Sequence, residues 1–306
     1  MIGPLVFCLL AWSIYRQLIR QTNWHQSLNT ALEALKGAAA WKLILAISLM
    51  LVNWGLEARK WQVAIGTLQR IPFITSWKAV FSGTTFAFFM PNRMGEYMGR
   101  ILYLPEENRV QAISLTIVCS MGQTLVTWLA GVGGLIYIGS ALPSLLLYAT
   151  IAGALTLTLF YFRLTWLVRW LKRIPRLKKL VTYIQVLDSF NATILLRILS
   201  LSVIRYAVFI AQYYLLFDVF NVPLTLGQVF GSISVVFVVL SIVPAIGFIT
   251  ELGVRWKTSI EVVRLFNNNI TGILATSFAI WIINLVIPAL IGSLLILGIK
   301  IFANKK

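Results

Sequence analysis

Acidic residues, cysteine and histidine are scarce in this 306-residue chain. It contains 9 Asp and Glu residues, 1 His and 2 Cys, and only 11% of its residues are charged. Cys8 and Cys119 lie within apolar runs and His25 lies in a polar segment, so the sequence predicts neither a disulfide framework nor a metal site. We therefore expect no metal and no other cofactor.

Apolar residues dominate what remains. They make up 59% of the chain, and the mean hydropathy is +0.87. This composition excludes a soluble domain and indicates a polytopic membrane protein. The 26 Lys and Arg residues flank apolar runs instead of gathering in a solvated domain. We therefore expect anionic membrane lipids, and not nucleic acid, as partners.

The apolar runs predict an all-α integral membrane protein, a single domain over residues 1–306, with about six full spans. The predicted spans are 2–18, 41–56, 110–138, 145–162, 194–217 and 270–301. Because no basic segment precedes the first run and no small-residue cleavage site follows it, it is predicted to be a retained span and not a signal peptide. Glu57, Arg59, Lys60 and Trp61 predict an interfacial cluster at the end of the second span.

Charge asymmetry predicts the orientation. Residues 163–186 form a basic linker, read either as an amphipathic segment on the membrane surface or as a plain positive-inside loop. Both readings place it in the cytoplasm, whereas the turns near 139–144 and 218–226 lack Lys and Arg and are predicted outside. Six crossings then leave both termini in the cytoplasm, in a bacterial-type inner (plasma) membrane. This scheme places four basic residues outside, against the positive-inside rule, namely Arg16, Arg20, Lys36 and Lys42.

The segment Trp77–Arg100 predicts a re-entrant helical hairpin. Its apolar lead, 79–90, covers about 18 Å as a helix, too short to cross a hydrocarbon core of roughly 30 Å. Pro91 breaks the hydrogen-bond ladder, so a second short helix is expected to start near Asn92. Glu96 and Arg100 then share a face of that helix, four residues apart.

A second copy of this pattern covers Gly227–Arg255. Val80-Phe81-Ser82-Gly83 corresponds to Val229-Phe230-Gly231-Ser232, Pro91 to Pro244, Gly95 to Gly247, and Glu96-x-x-x-Arg100 to Glu251-x-x-x-Arg255, with Gly253 inside the last element. Three predicted crossings separate the copies, so they form an inverted repeat, with repeat one at about 41–162 and repeat two at about 194–302. We expect Pro91, Gly95, Pro244, Gly247 and Gly253 to be the structural positions of the two hairpins.

The intramembrane charges predict an anion path. An unpaired charge at the membrane centre costs about 2.5 to 3.5 kcal/mol, which requires ion pairing or a wet cavity. Glu96 can pair with Arg100 and Glu251 with Arg255, whereas Arg93 and Arg205 have no evident carboxylate partner. A guanidinium without a carboxylate suits a phosphate. The predicted substrate-binding residues are Arg93, Glu96, Arg100, Arg205, Glu251 and Arg255.

The two motifs resemble those of the flippase-like domain family, the transmembrane region of the lysylphosphatidylglycerol synthases. FMPNRMGEYMGR, ending at Arg100, and PAIGFITELGVR, ending at Arg255, occur in the expected order, and the resemblance covers nearly the whole chain. It implies movement of lipids or lipid-linked head groups between leaflets. The second element departs from the family pattern in having Phe248 where Gly is common. It also has Trp256 or Lys257 where an acidic residue often follows the Arg, with Glu251 earlier instead. Because no synthase domain follows, we expect a stand-alone member that does not aminoacylate lipids.

Two function classes and a third reading stay open at this stage. The first is a flippase or scramblase for an anionic phospholipid or lipid-linked head group. The second is a membrane-embedded transferase acting on a polyprenyl-phosphate or phospholipid, with Glu96 or Glu251 as general base. The sequence has no His/Cys cluster and no Asp pair, so a transporter is favoured over an enzyme. The third reading is a scaffold for a partner synthase.

Overall fold

The computed structural model describes residues 40–90, 94–164, 185–243 and 248–297, together with Gly37 and the single positions 166, 168 and 170. All regular elements in these ranges are helical, so the predicted all-α class is confirmed for the part of the chain that is described. The predicted first span, most of the basic linker, and Pro91, Arg93, Pro244 and Gly247 lie outside these residues.

Ten α-helices make up the fold over the described ranges. They are α1 Ala40–Ile65, α2 Phe73–Phe89, α3 Gly95–Ile101, α4 Glu106–Ile138, α5 Ser144–Phe162, α6 Ala192–Val219, α7 Leu226–Ile242, α8 Phe248–Val263, α9 Ile270–Trp281 and α10 Ile287–Leu297. A π-helical turn, Ile282–Val286, joins α9 to α10. Within these ranges five helices are long and apolar enough to cross a membrane, namely α1, α4, α5, α6 and the joined α9–α10. The chain is an integral membrane protein.

Proline sets several helix boundaries. Pro72, Pro105 and Pro143 stand immediately before α2, α4 and α5, where their fixed φ suits a helix start and their missing N–H leaves no donor unpaired. Met90 and Val243, which precede Pro91 and Pro244, have extended backbones and end α2 and α7. The ring of a proline disfavours the helical conformation in the residue before it, so both breaks follow from the sequence.

The π-helical turn has the same cause. Pro288 lacks the N–H that would donate to the carbonyl of residue 284, and its ring crowds that carbonyl. The helix therefore widens over Ile282–Val286, immediately before the proline.

The helices of the two predicted repeats pack against one another. α6 lies along α1, α10 packs on α2, and α7 packs on α4. Two glycines allow the last two contacts: a Cβ on Gly292 would lie 2.0 Å from the carbonyl oxygen of Phe81, and one on Gly134 would lie 2.8 Å from that of Gly231. The backbones in both places approach more closely than any side chain would permit.

The first hairpin, α2–α3, is held together by backbone contact. A Cβ on Gly95 would lie 2.1 Å from the backbone of Phe86, and one on Gly99 would lie 2.4 Å from the backbone of Gly83. The predicted structural role of Gly95 therefore has a steric reason. Gly253 has nothing within 4 Å of such a Cβ, so no close approach requires a glycine there.

The lead helix of this hairpin is longer than the sequence predicted. α2 begins at Phe73, six residues before the predicted start, and has 17 residues, as does α7 in the second motif. A helix of that length covers about 25 Å. The polar residues Thr75 and Ser76 hid the first turn from a search for apolar runs.

In each hairpin, a residue that follows the hairpin donates a hydrogen bond to a residue that precedes it, and we call this contact the closure of the hairpin. The two closures lie at opposite ends of α1. Asn108, after the first hairpin, donates to Gln69, before it, at 2.5 Å, and this contact lies at the C-terminal end of α1. Asn269, after the second hairpin, donates to the carbonyl of Asn221, before it, at 2.9 Å. Asp218, close to that second closure, forms an ion pair with Lys42 at the N-terminal end of α1. The 26 residues of α1 separate the two closures by about 39 Å along its axis.

Candidate functional site

One carboxylate, that of Glu57 on α1, contacts three cationic side chains. Its Oε2 lies 2.7 Å from Nζ of Lys60 and 3.0 Å from Nη1 of Arg205, and its Oε1 lies 2.9 Å from Nη2 of Arg100. Arg100 comes from α3 and Arg205 from α6. The four residues are exposed by 9% or less, so each charge depends on its partners and not on water. We refer to Glu57, Lys60, Arg100 and Arg205 as the Glu57 cluster.

This cluster corrects the prediction of an interfacial group at the end of the second span. Arg59 is exposed as predicted, but Glu57 and Lys60 are buried, and Trp61 is buried with its indole N–H donating to Thr116 at 3.1 Å. α1 continues to Ile65 and packs between other helices, so charges near its end face protein instead of head groups. The spacing of Asn53, Glu57 and Lys60 on one helix face was the signal for this arrangement.

Arg205 also departs from the prediction, which left it without a partner. Besides its ion pair with Glu57, its Nε donates to Oδ1 of Asn53 at 2.6 Å and its Nη1 to Oε1 of Gln123 at 3.3 Å. Its guanidinium lies 5.3 Å from the ring centroid of Trp54 and 5.4 Å from that of Phe209. The aromatic faces cover the cation on sides where it makes no hydrogen bond.

The predicted pair of Glu96 and Arg100 is present. Nη2 of Arg100 donates to Oε2 of Glu96 at 3.2 Å, across one turn of α3. The same guanidinium nitrogen reaches Glu57, so Arg100 has two carboxylate partners where the sequence predicted one.

Arg255 on α8 lies beside a second aromatic group. Its Nη1 donates to the hydroxyl of Tyr213 at 2.9 Å, and its guanidinium lies 6.0 Å from the centroid of Phe237. The rings of Phe237 and Phe209 are 5.8 Å apart, so the aromatic residues that cover Arg205 and Arg255 contact each other. Arg255, the arginine of the second motif, is thus linked to the Glu57 cluster through packed aromatic rings.

A cavity of about 610 Å³ lies at these side chains, with walls from both predicted repeats. Glu57, Lys60 and Glu96 line it from the first half, and Arg205 and Arg255 line it from the second. α4 adds a polar stripe, Ser120, Gln123, Thr124 and Thr127, spaced so that all four share one helix face. This stripe in an otherwise apolar span was a sequence signal that the search for charged residues missed.

Several buried polar atoms at this cavity make no hydrogen bond to the described part of the protein. They are Nε1 of Trp54, Nε1 of Trp281 and Oδ1 of Asn284, all from residues that line it. Asn284 lies in the π-helical turn, and its Nδ2 donates to Gln212 at 3.1 Å. Two indole donors and one amide acceptor of lining residues are therefore buried without a hydrogen-bond partner among the described residues.

The charges at the cavity do not balance. Among the described residues that line it, Lys60, Arg205 and Arg255 carry three positive charges, and Glu57 and Glu96 carry two negative charges. Arg100 does not line the cavity but forms ion pairs with both carboxylates. Arg93 and the side chain of Glu251 lie outside the described residues. The described residues that line the cavity are therefore net positive.

Of the six predicted substrate-binding residues, Glu96, Arg205 and Arg255 line this cavity. Arg100 does not line it but pairs with Glu96 and Glu57, which do. Sequence reasoning missed Glu57 and Lys60 as site residues, together with their polar neighbours Asn53 and Gln123. No protein-family model matches this chain, and no curated protein matches it significantly. The resemblance to the flippase-like domain family therefore stands on the two quoted motifs alone.

Proposed function

We propose that this protein is a lipid transporter, a flippase or scramblase, that moves an anionic phospholipid or lipid-linked head group between membrane leaflets. The observation that carries the proposal is the cavity between the two halves, which is lined by cations from both and is net positive over its described lining residues. A charged cavity inside a membrane protein is costly unless it binds an ion of opposite charge. Guanidinium groups backed by aromatic rings suit a phosphate.

The arrangement of the hairpins supports alternating access. Each hairpin closes on itself, and the two closures lie at opposite ends of α1. Two re-entrant hairpins entering from opposite faces would have this geometry. The reciprocal packing of α10 on α2 and of α7 on α4 is also what an inverted repeat would produce. The proposal includes six crossings, both termini in the cytoplasm of a bacterial-type inner membrane, and membership of the flippase-like domain family.

A reconstitution experiment tests this function. The purified protein is placed in vesicles with a fluorescent phosphatidylglycerol, and a membrane-impermeant quencher reports how much probe reaches the outer leaflet. We expect the parent protein to exchange this anionic probe and to move one with a neutral head group poorly, since a neutral head group offers the arginines nothing to offset their desolvation.

Two arginine variants and their matched controls make the test specific. Arg205→Gln and Arg255→Gln should each slow exchange by about tenfold or more, the effect of losing one charge-assisted hydrogen bond. Arg197→Gln on α6 and Arg264→Gln after α8 replace exposed arginines and should exchange at the parent rate. Absence of exchange by the parent, or equal rates in all four variants, would remove transport and leave the transferase and scaffold readings.

A further inference from the structure

We propose that the cavity recognises the hydroxyl groups of a polyol head group, such as a phosphoglycerol or a phosphosugar, through the polar stripe of α4, namely Ser120, Gln123, Thr124 and Thr127. This inference rests on the proposed function and names the chemical class of its substrate. It follows from the lone pairs that the stripe presents, from the orientation of Gln123 and from the position of the stripe in the cavity.

The threonines of the stripe present hydrogen-bond acceptors. The hydroxyl of Thr124 donates to the carbonyl of Ser120 at 3.0 Å, and that of Thr127 donates to the carbonyl of Gln123 at 3.0 Å, each one turn back along α4. A hydroxyl has one proton and two lone pairs, so each threonine has its proton engaged and keeps its lone pairs. Both side chains are half-buried and line the cavity. They therefore suit a ligand that donates hydrogen bonds, which an ionised phosphate does not.

Gln123 adds a donor beside these acceptors. Its Oε1 accepts from Nζ of Lys60 at 3.5 Å and from Nη1 of Arg205 at 3.3 Å. Because cations bind the oxygen of an amide and not its NH2 group, this orientation leaves Nε2 as a donor of two protons. A hydroxyl group both donates and accepts, so it matches the mixture. An ammonium group only donates, and the nearby charges of Lys60 and Arg205 would repel it.

The stripe connects the Glu57 cluster to an apolar end of the cavity, over about 10 Å along α4. Gln123 contacts two cations of the cluster. Trp128, the residue after the stripe, donates to the hydroxyl of Ser241 on α7 at 2.9 Å, and the neighbouring Ile242 and Val243 are exposed apolar residues that line the cavity. A lipid with its phosphate at the cluster and its chains at this end would have the rest of its polar part beside the stripe.

A binding experiment on the purified full-length protein tests the inference. Dioctanoyl phosphatidylglycerol and dioctanoyl phosphatidylpropanol are compared at pH 7 by isothermal titration calorimetry. Both lipids are phosphodiesters with one negative charge and the same chains, and they differ only in the two hydroxyl groups of the head group. The detergent is a polyoxyethylene ether, because the head group of a sugar detergent would compete for the stripe.

We expect phosphatidylglycerol to bind about tenfold more tightly than phosphatidylpropanol, the effect of one or two added hydrogen bonds. Equal affinity of the two lipids, or no binding of either, would overturn the inference. Glycerophosphoglycerol, the same head group without chains, should bind much more weakly than phosphatidylglycerol, since it has no chain to bury. If it binds as tightly, the assignment to a lipid is wrong and the cavity is a site for a soluble polyol phosphate.

Conservative variants connect the preference to the stripe. Thr124→Val and Thr127→Val keep the shape of the side chain but remove the hydroxyl, and each should reduce the preference for phosphatidylglycerol several-fold. Thr156→Val on α5 is the matched control and should retain it, because that hydroxyl donates to the carbonyl of Ala152 at 2.8 Å in the same way but belongs to an exposed side chain that does not line the cavity.

The measured quantity in these variants is the ratio of two affinities. Partial loss of folded protein lowers the binding of both lipids and leaves the ratio unchanged, so a change in the ratio reports recognition and not stability. A ratio equal to that of the parent protein in both cavity variants would contradict the role of the stripe.

Failure of this inference and failure of the proposed function have different signatures. If the protein exchanges fluorescent phosphatidylglycerol in vesicles but binds the two dioctanoyl lipids equally, transport stands and the hydroxyl recognition falls. If it prefers phosphatidylglycerol but exchanges no lipid, the recognition stands as a binding property and transport falls.

Discussion

At the scale of single residues, Glu57 is the centre of the site. Three cations contact its carboxylate, whereas Glu96 contacts Arg100, which keeps Glu57 as a second partner. Glu57→Gln should therefore lower the free energy of unfolding by about 3 to 5 kcal/mol, the usual effect of breaking a buried ion pair. Denaturation of the purified protein in mixed micelles measures this change.

Glu96→Gln is the matched comparison, because it is the same substitution at the other carboxylate of the network. Its effect should be clearly smaller, at about 1 to 2 kcal/mol, since Arg100 remains paired with Glu57. Equal losses of stability in the two variants would show that Glu57 is not the centre of the network.

At the scale of elements, the α2–α3 hairpin depends on glycine. A methyl group at Gly99 would lie 2.4 Å from the backbone of Gly83, and backbone cannot move aside as a side chain can. Gly99→Ala should therefore force the helices apart, lower the melting temperature and reduce lipid exchange, because Glu96 and Arg100 are on the displaced helix. The loss expected from overpacking is about 1 to 3 kcal/mol.

Gly55→Ala on α1 provides the control for this prediction. A Cβ at Gly55 would meet nothing within 4 Å, and alanine is the better helix former by about 1 kcal/mol. The variant should be as stable as the parent protein or slightly more so. A Gly99→Ala protein with the melting temperature of the Gly55→Ala protein would rule out the backbone contact.

At the scale of the whole molecule, the two hairpin closures predict opposite membrane faces. In a background with Cys8 and Cys119 replaced by alanine, single cysteines at Ser140 and Asn221 should react with an impermeant thiol reagent applied to intact cells. A cysteine at Arg70 should react only after permeabilisation. All three positions are exposed and lie between helices.

Each other labelling pattern has a defined meaning. The reverse pattern would keep the inverted arrangement and reverse the orientation, in which case Arg16, Arg20 and Lys36 would obey the positive-inside rule. Labelling of all three positions from the same side would contradict the inverted repeat itself.

The sequence by itself determined the spans and the helix breaks. Apolar length and the absence of a backbone donor in proline are local properties, so the predicted spans from 41 to 297 match helices to within a few residues at most ends, and α2 and α7 end before Pro91 and Pro244. The pair of Glu96 and Arg100 was also predictable, because one helical turn brings the two together.

Only the tertiary structure decided which charges share the cavity. Glu57 lies 43 residues before Arg100 in the chain, and Arg205 is 152 residues after Asn53, so their contacts depend on how α1, α3 and α6 pack. The end of α1 looked like a membrane boundary because charge at the end of an apolar run has the same pattern whether it faces head groups or a buried carboxylate network. Helix packing distinguishes the two cases, since it determines whether lipid or protein surrounds a given turn.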